Sequence, residues 1–141
     1  MEAVTVFLDT AIFMYAAGSD HPLRAPCRTV LARAVRGEIP GATSAEVIQE
    51  LVHRYLSIRR LDAAASVARE VLGSFGPVLA VDHAVVARLP ELVSRYPSLE
   101  TRDLVHAATC IEEGITDIVS PDRGFDQIRE IRRIDPQVLA G

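Results

Sequence analysis

Short apolar segments rich in β-branched residues, separated by stretches of helical periodicity, constrain the fold of this chain most. The clearest segments are residues 4–8 and 116–120, and weaker ones lie at residues 78–81 and 131–134. The spacing of apolar residues predicts helices at 10–17, 22–36, 43–55, 59–72, 83–96 and 99–113. Strands that alternate with helices are typical of a parallel sheet covered on both faces. The sequence therefore predicts an α/β fold, a three-layer α/β/α sandwich around a short parallel sheet.

The length of 141 residues predicts a single domain spanning residues 1–141. The longest uncharged run, residues 71–81, has 11 residues, whereas a membrane-spanning helix needs about 20. The start, Met1 and Glu2, lacks the basic region of a signal peptide, and two cysteines cannot form a disulfide framework. We therefore expect a soluble protein of a reducing compartment, cytoplasmic and without membrane contact.

The basic residues of the chain are all arginine: there are 15 of them and no lysine. This excludes P-loop phosphate binding and Schiff-base chemistry, both of which need a lysine amine. It also counts against receiver domains and phosphatases of the haloacid dehalogenase type. The net charge of −4 argues against a protein that coats nucleic acid broadly. A group of carboxylates gathered around a metal ion remains compatible with that charge.

Three aspartates lie where a parallel α/β sheet places its ligands, at or beside the carboxyl ends of strands. Asp9 ends the first predicted strand, Asp122 follows the third, and Asp103 lies in the first turns of an apolar helix. Each also has an ordinary structural interpretation: an N-cap for Asp9, a Pro-Asp turn for Asp122, and a favourable helix dipole for Asp103. Taken singly, none of the three identifies a functional site.

The helix that begins near residue 43 carries two acids, Glu46 and Glu50, one turn apart on the same face. Thr43 and Glu46 have the spacing of a capping box, in which Glu46 would reach back to the Thr43 amide. Glu50 has no capping role and is flanked by apolar residues. Burying a carboxylate there costs free energy unless it is paired or bound to a cation. Glu50 is therefore the better candidate for a functional site.

The candidates combine into one group, called the acid cluster below: Asp9, Glu50, Asp103 and Asp122. Carboxylates brought close together repel one another, and when ionised they need a cation. Oxygen ligands alone suit Mg²⁺ or Mn²⁺ rather than zinc. Ions of this kind activate water and stabilise charge in phosphoryl displacement.

Four segments of the chain, taken in order, resemble the PIN-domain ribonucleases, most closely the VapC-type toxins of prokaryotic toxin–antitoxin pairs. They are residues 7–10, 43–51, 102–108 and 117–126, and they are distributed along nearly the whole length of the chain. The resemblance implies a PIN-like fold and Mg²⁺-dependent cleavage of RNA in which the acid cluster holds one or two metal ions. It also implies an antitoxin partner and a homodimer. Ser120 replaces the usual threonine, and Asp126 competes with Asp122 for the place of the fourth acid.

Two alternatives remain at this stage. The pairs Glu50/His53 and Asp103/His106 have the i, i+3 spacing of carboxylate-bridged di-metal helical bundles, although the predicted strands fit such a bundle poorly. The ordinary interpretation of His106 is a packed histidine bonded to backbone, and that of His53 is a helix-surface residue. A second alternative is an RNA-binding module of the PIN-like fold without catalysis, against which four intact acids argue.

Overall fold

The structure, a computed structural model, describes residues 4–141. The start of the chain, on which the signal-peptide expectation rests, lies outside the described residues. Four parallel strands form one sheet in the order β2-β1-β3-β4. The strands are β1 (Val6–Leu8), β2 (Gly41–Ala42), β3 (Asp117–Val119) and β4 (Arg132–Ile134). The predicted α/β class with a short parallel sheet is therefore confirmed.

Eight α-helices and one 3₁₀ helix surround this sheet in the described part of the chain. The α-helices are α1 (Thr10–Ala17), α2 (Arg24–Val35), α3 (Ala45–Ser57), α4 (Leu61–Phe75), α5 (His83–Val86), α6 (Leu89–Arg95), α7 (Thr101–Glu113) and α8 (Pro136–Ala140). The 3₁₀ helix, Arg123–Gln127, follows β3. The alternative of a carboxylate-bridged di-metal helical bundle is thus wrong, because the strands form a four-stranded sheet.

The two central strands are buried along their whole length, as strands covered on both faces should be. Phe7 and Leu8 of β1 and Ile118 and Val119 of β3 are fully enclosed. Residues of α1, α2, α3 and α7 pack against them in the main hydrophobic cluster. A smaller cluster joins α5 and α6 to α7. Both cysteines are buried and free, as expected of a chain without a disulfide framework.

The register of the central strands brings their carboxyl ends together. Leu8 pairs with Val119, and the amide of Asp9 donates a hydrogen bond to the Val119 carbonyl across 3.2 Å. The residues that follow the two strands, Asp9 and Ser120, consequently lie side by side. This is the edge of the sheet at which the sequence places the acids.

Some predicted elements differ in the structure. Residues 78–81 contribute one isolated bridge, between Leu79 and Ser44, and the strand next to β1 is instead the two-residue β2. The single helix predicted at residues 83–96 is two helices, and Pro90 stands in the first turn of the second. Proline suits a first helical turn because it lacks the N–H that a helix interior needs.

Among residues 4–141, no helix combines the length and the apolar character needed to cross a bilayer.

Candidate active site

A cleft of about 370 Å³ lies beside the carboxyl ends of β1 and β3, and all four members of the acid cluster line it. They come from four separate segments of the chain, namely the end of β1, the middle of α3, the first turn of α7 and the turn after β3. Folding therefore brings together the residues that the sequence singled out.

Asp9 is buried and stands at the N-cap position of α1, but its side chain makes no capping hydrogen bond there. Its Oδ2 instead accepts a hydrogen bond of 2.7 Å from the Ser120 hydroxyl. Burial raises the pKa of Asp9 and the charge of Glu50 adds to this, although His106 and Ser120 act in the opposite direction. The N-cap interpretation therefore does not account for this carboxylate.

Glu50 is held by a histidine from another helix. The Nε2 atom of His106, on α7, lies 2.6 Å from Glu50 Oε1 and 3.6 Å from Asp9 Oδ1. Burial opposes the charged form of this imidazole, but the hydrogen bond to Glu50 and the nearby carboxylates outweigh it and raise the pKa of His106. The expectation that His106 bonds to backbone is therefore wrong, because its Nε2 forms a hydrogen bond with Glu50 and lies close to Asp9. His53 is exposed on α3, as expected.

Asp103 lies in the first turn of α7 and is almost fully enclosed. Burial, together with the charges of Asp122 and Asp9, raises its pKa to about 7, and His106 and Arg102 offset only part of this effect. A favourable helix dipole would lower the pKa of a carboxyl rather than raise it. The dominant influence on Asp103 is thus desolvation among other carboxylates.

The structure places Asp122 and Asp126 in different surroundings. Asp122 lines the cleft, and its Oδ1 also accepts a hydrogen bond of 2.8 Å from the Gly124 amide. Asp126 is half-exposed and bonds to the guanidinium of Arg133 on β4, with the shorter contact at 2.9 Å. Asp126 does not line the cleft, so the geometry favours Asp122 as the fourth acid.

The capping box predicted for α3 does not form. Ser44 is the N-cap residue and its hydroxyl accepts from the Val47 amide, which places Glu46 one position too early to complete a box. Thr43 is engaged elsewhere, because its hydroxyl donates to the Leu8 carbonyl across 3.0 Å. Burial and the Glu50 charge raise the pKa of Glu46, although His106 acts against them. The charge of the acid cluster therefore affects the pKa of Glu46, although Glu46 does not line the cleft.

Cationic and aromatic side chains complete the walls of the cleft. Arg54 of α3 and Arg102 of α7 line it, and Arg102 also pairs with Glu100 at 2.8 Å. Tyr15 of α1 and the nearby His21 line the same cleft. The walls thus combine positive charge with aromatic surface, around a floor of carboxylates.

The acid cluster fits a divalent cation chemically. Its ligands are all carboxylate oxygens, which Mg²⁺ and Mn²⁺ prefer, and burial together with the charges of Asp122 and Asp9 raises the pKa of Asp103. Within residues 4–141, no three acidic, histidine or cysteine side chains are placed closely enough to hold a metal ion as they stand. The fit therefore rests on the chemistry of the carboxylates and on their shared cleft.

Sequence reasoning named His106 and Ser120 but did not recognise that they hold the acids in place. The spacing of His106 from Asp103 puts both on the same face of α7, and this face is buried over residues 103–110. A histidine on such a face beside an acid is a usable signal, but its partner on α3 cannot be recognised without the fold. Ser120 follows β3 as Asp9 follows β1, which becomes informative only once the two strands are known to be neighbours.

The fold and the cleft together define an α/β protein with an acidic site at the carboxyl edge of a parallel sheet. Residues 6–131 match the PIN domain family. A Mycobacterium tuberculosis protein named ribonuclease VapC23 is 42% identical over 120 residues, which cover 83% of this chain and 92% of that protein. Ribonuclease VapC13 of the same species is 33% identical over 129 residues, covering 92% and 98%.

Solved structures agree with the fold. The complex VapBC2 of Rickettsia felis, bound to a DNA fragment from its promoter, contains a chain that superposes with a TM-score of 0.74 at 18% identity. The superposition covers 93% of this chain and 98% of that one. The chain therefore belongs to the PIN-domain family and, within it, to the VapC ribonucleases.

Proposed function

We propose that this protein is a divalent-metal-dependent endoribonuclease, the toxin of a VapBC-type toxin–antitoxin pair, built as one domain over residues 1–141. The observation that carries the proposal is the convergence of carboxylates from four chain segments on one cleft. The raised pKa of Asp103 supports it, because burial first and then the charges of Asp122 and Asp9 oppose ionisation of this carboxyl, which a bound cation would favour. The related chains named as ribonucleases support the same activity.

The residues that would hold the metal are Asp9, Asp103 and Asp122, with Glu50 in the same group. Mg²⁺ is the cofactor we propose, with Mn²⁺ as a functional substitute, because both accept an all-oxygen ligand set. When bound, such an ion lowers the pKa of a coordinated water and neutralises the charge that develops on the phosphate.

Side chains and backbone of the protein orient the carboxylates of the acid cluster. The Ser120 hydroxyl fixes the orientation of Asp9, and His106 fixes that of Glu50. The Gly124 amide does the same for Asp122. Carboxylates that are held in this way need little reorganisation when the substrate arrives, which is how a preorganised site lowers a reaction barrier. Histidine is not the general base in this scheme, because the Nε2 of His106 is directed at carboxylates.

RNA is the proposed substrate, and its phosphates would meet Arg54 and Arg102 at the cleft walls. We further propose a cognate antitoxin, a homodimer and a cytoplasmic location, where RNA is accessible. The solved relatives include VapBC complexes from Rickettsia felis and Salmonella typhimurium, each bound to DNA. A partner that holds the toxin inactive is the arrangement these complexes suggest for this chain.

The test is cleavage of a defined single-stranded RNA by the purified protein, with Mg²⁺, with Mn²⁺ and with excess chelator. We expect internal cuts that require the metal and stop on chelation. The non-catalytic alternative, an RNA-binding module, predicts retention of intact RNA under all three conditions. That result would replace the proposed activity.

The partner is tested by co-expression with the product of the adjacent reading frame. We expect that product to co-purify with this chain and to suppress the cleavage. Undiminished cleavage by a stable complex would contradict the assignment as a toxin held by an antitoxin.

A further inference from the structure

The cleft extends beyond the acid cluster along one face of α1. Ala11, Met14, Tyr15 and Gly18 line it, and their spacing of three, four and seven residues places them on one side of the helix. Asp9 stands at the beginning of this helix and Tyr15 six residues later, which is about 9 Å along the helix axis. A stacked nucleic-acid strand advances roughly 3.4 Å per nucleotide, so Tyr15 lies about one to three nucleotides from the acids.

The ring of Tyr15 has an aromatic neighbour, the imidazole of His21. The rings of Tyr15 and His21 are in contact, with their centroids 4.6 Å apart and their planes tilted by 37°. The Nδ1 atom of His21 accepts a hydrogen bond of 3.0 Å from the Leu23 amide, which fixes the imidazole and leaves the proton of the neutral ring on Nε2. The side chain of Tyr15 is held as well, because it is partly buried and packs against the main hydrophobic cluster. Two oriented rings therefore stand at the cleft wall, and we call them the Tyr15–His21 pair.

The setting of the Tyr15–His21 pair is that of a site for single-stranded nucleic acid. Such sites combine aromatic rings, on which bases stack, with cations that follow the phosphates. Arg54 and Arg102 supply cations in the same cleft, and Met14 adds polarisable apolar surface beside the rings. An apolar peptide segment would not require the cations, and a base-paired duplex could not present a free base face to the rings.

We propose that the Tyr15–His21 pair is a stacking subsite for one unpaired base of the RNA, next to the phosphate that is cut. The inference rests on the proposed ribonuclease activity and specifies its substrate: a single-stranded segment, with an intact base at one fixed distance from the cleavage position. The subsite positions the strand and takes no part in the chemical step.

The test uses the full chain, a short single-stranded RNA with one cleavage site and a set of substrates in which each nucleotide in turn is abasic. Tyr15→Leu removes the ring at similar volume, Tyr15→Phe retains it, and His21→Asn removes the second ring while keeping an acceptor for the Leu23 amide. The loss of one base–aromatic stacking contact corresponds to a change in binding of roughly 5- to 150-fold. We expect Tyr15→Leu to raise KM within that range with kcat little changed, Tyr15→Phe to stay within about 2-fold of the wild type, and His21→Asn to lie between them.

The abasic scan separates stacking from a structural effect of the substitution. At one position, about one to three nucleotides from the cut, an abasic site should weaken the wild-type reaction as much as Tyr15→Leu does, and should cause no further loss in that variant. The subsite would be overturned if the effect of Tyr15→Leu added to that of the abasic site at every position of the RNA. A Tyr15→Leu variant with the KM of the wild type would also overturn it. If Tyr15→Leu does not fold, wild-type KM values that are equal for every abasic substrate would overturn it as well.

Two further outcomes of these experiments can be told apart from the loss of the stacking subsite. Wild-type protein that neither binds nor cleaves the RNA would refute the proposed function itself. Tyr15→Leu protein that cleaves normally but escapes suppression by the antitoxin would assign the pair to the protein partner and reject the RNA subsite.

Discussion

His106 Nε2 and Glu50 Oε1 lie 2.6 Å apart and connect α7 to α3 at the cleft. The imidazole is almost fully buried, and its Nδ1 is a buried atom without a hydrogen-bond partner among residues 4–141. An imidazole enclosed in this way cannot turn to another partner without rearranging the core around it. The orientation of Glu50, and through it the shape of the acid cluster, therefore depends on a residue outside that cluster.

Replacing His106 tests this relationship. His106→Leu removes the donor at similar volume and leaves Glu50 unpaired, so we expect a loss of about 1 to 3 kcal/mol in the free energy of unfolding and strongly reduced cleavage. His106→Gln carries an amide N–H near the position of Nε2 and should recover part of both. Thermal unfolding and cleavage rates of the two variants check this. Wild-type cleavage by His106→Leu would show that Glu50 needs no such support.

Asp103→Asn should abolish metal-dependent RNA cleavage while the fold is retained, because the amide keeps the shape of the side chain and removes a charged ligand. The matched control is Asp126→Asn, the same chemical change at an acid that pairs with Arg133 away from the cleft. The control should cost less than about 1 kcal/mol in stability and keep its activity. Cleavage rates measured at saturating Mg²⁺ compare the two, and a wild-type rate for Asp103→Asn would remove that residue from the site.

Glu50→Gln and Glu46→Gln separate the two acids of α3. The glutamine at position 50 can still accept from His106, so stability should change little, whereas metal affinity and cleavage should fall sharply because a charge is lost from the cluster. Glu46→Gln lies outside the cleft lining and should keep most of the activity. Paired measurements of Mn²⁺ affinity and RNA cleavage decide between them. The reverse outcome would mean that the functional acid is one helical turn earlier.

The stability of the metal-free protein should fall as the pH rises from about 4 to about 7. In the folded protein Asp103 keeps its proton up to about pH 7, whereas in the unfolded chain it loses it near the ordinary value of 3.8. The folded state therefore binds more protons between these two pH values, and its advantage is lost as the pH increases. The raised pKa of Asp9 acts in the same direction over this range, and the raised pKa of His106 does so above its ordinary value of 6.5.

Urea unfolding of metal-free protein at pH 5 and pH 8 measures this effect, with Asp103→Asn as the comparison. The variant has no proton to lose at position 103, so its stability should change less with pH and exceed that of the wild type at pH 8. The difference should be on the order of 2 kcal/mol, below the value implied by the full pKa shift because water enters the cleft. Parallel pH curves for the two proteins would contradict the origin given for the raised pKa.

Mg²⁺ or Mn²⁺ should raise the melting temperature by binding the folded state alone. At a concentration of about 100 times the dissociation constant the gain is roughly 2.7 kcal/mol. The gain should increase with pH towards 8, because the carboxyl of Asp103 must lose its proton before it can bind the metal. Asp126→Asn should show the full gain and Asp103→Asn a much smaller one. A melting curve of the wild type that does not respond to millimolar Mn²⁺ would count against a metal site.

Local sequence determined the elements that carry their own signal. The β-branched and aromatic residues of the first strand predict it. The end of α7 is predicted by Gly114, whose φ of 70° suits a residue without Cβ. Helix α4 shows where local rules fail. It runs past Gly73 to Phe75, because Phe75 packs against Phe13 with ring centroids 5.7 Å apart, and this contact outweighs the low helix propensity of glycine.

The sequence by itself also determined which acids to consider, since strand ends and helix faces are local features. Only the tertiary structure shows that Glu50 and Asp122 line the cleft, whereas Glu46 and Asp126 do not. The hydroxyl of Thr43 donates to the Leu8 carbonyl of β1 and does not cap α3. His106 forms a hydrogen bond with Glu50, which lies 56 residues away in the sequence. Arg133 on β4 forms an ion pair with Asp126 away from the cleft. Each of these contacts joins segments that are distant in sequence, and periodicity describes a segment but not its partner. The acids could therefore be nominated from the chain, whereas their arrangement is set by the packing of helices around the sheet.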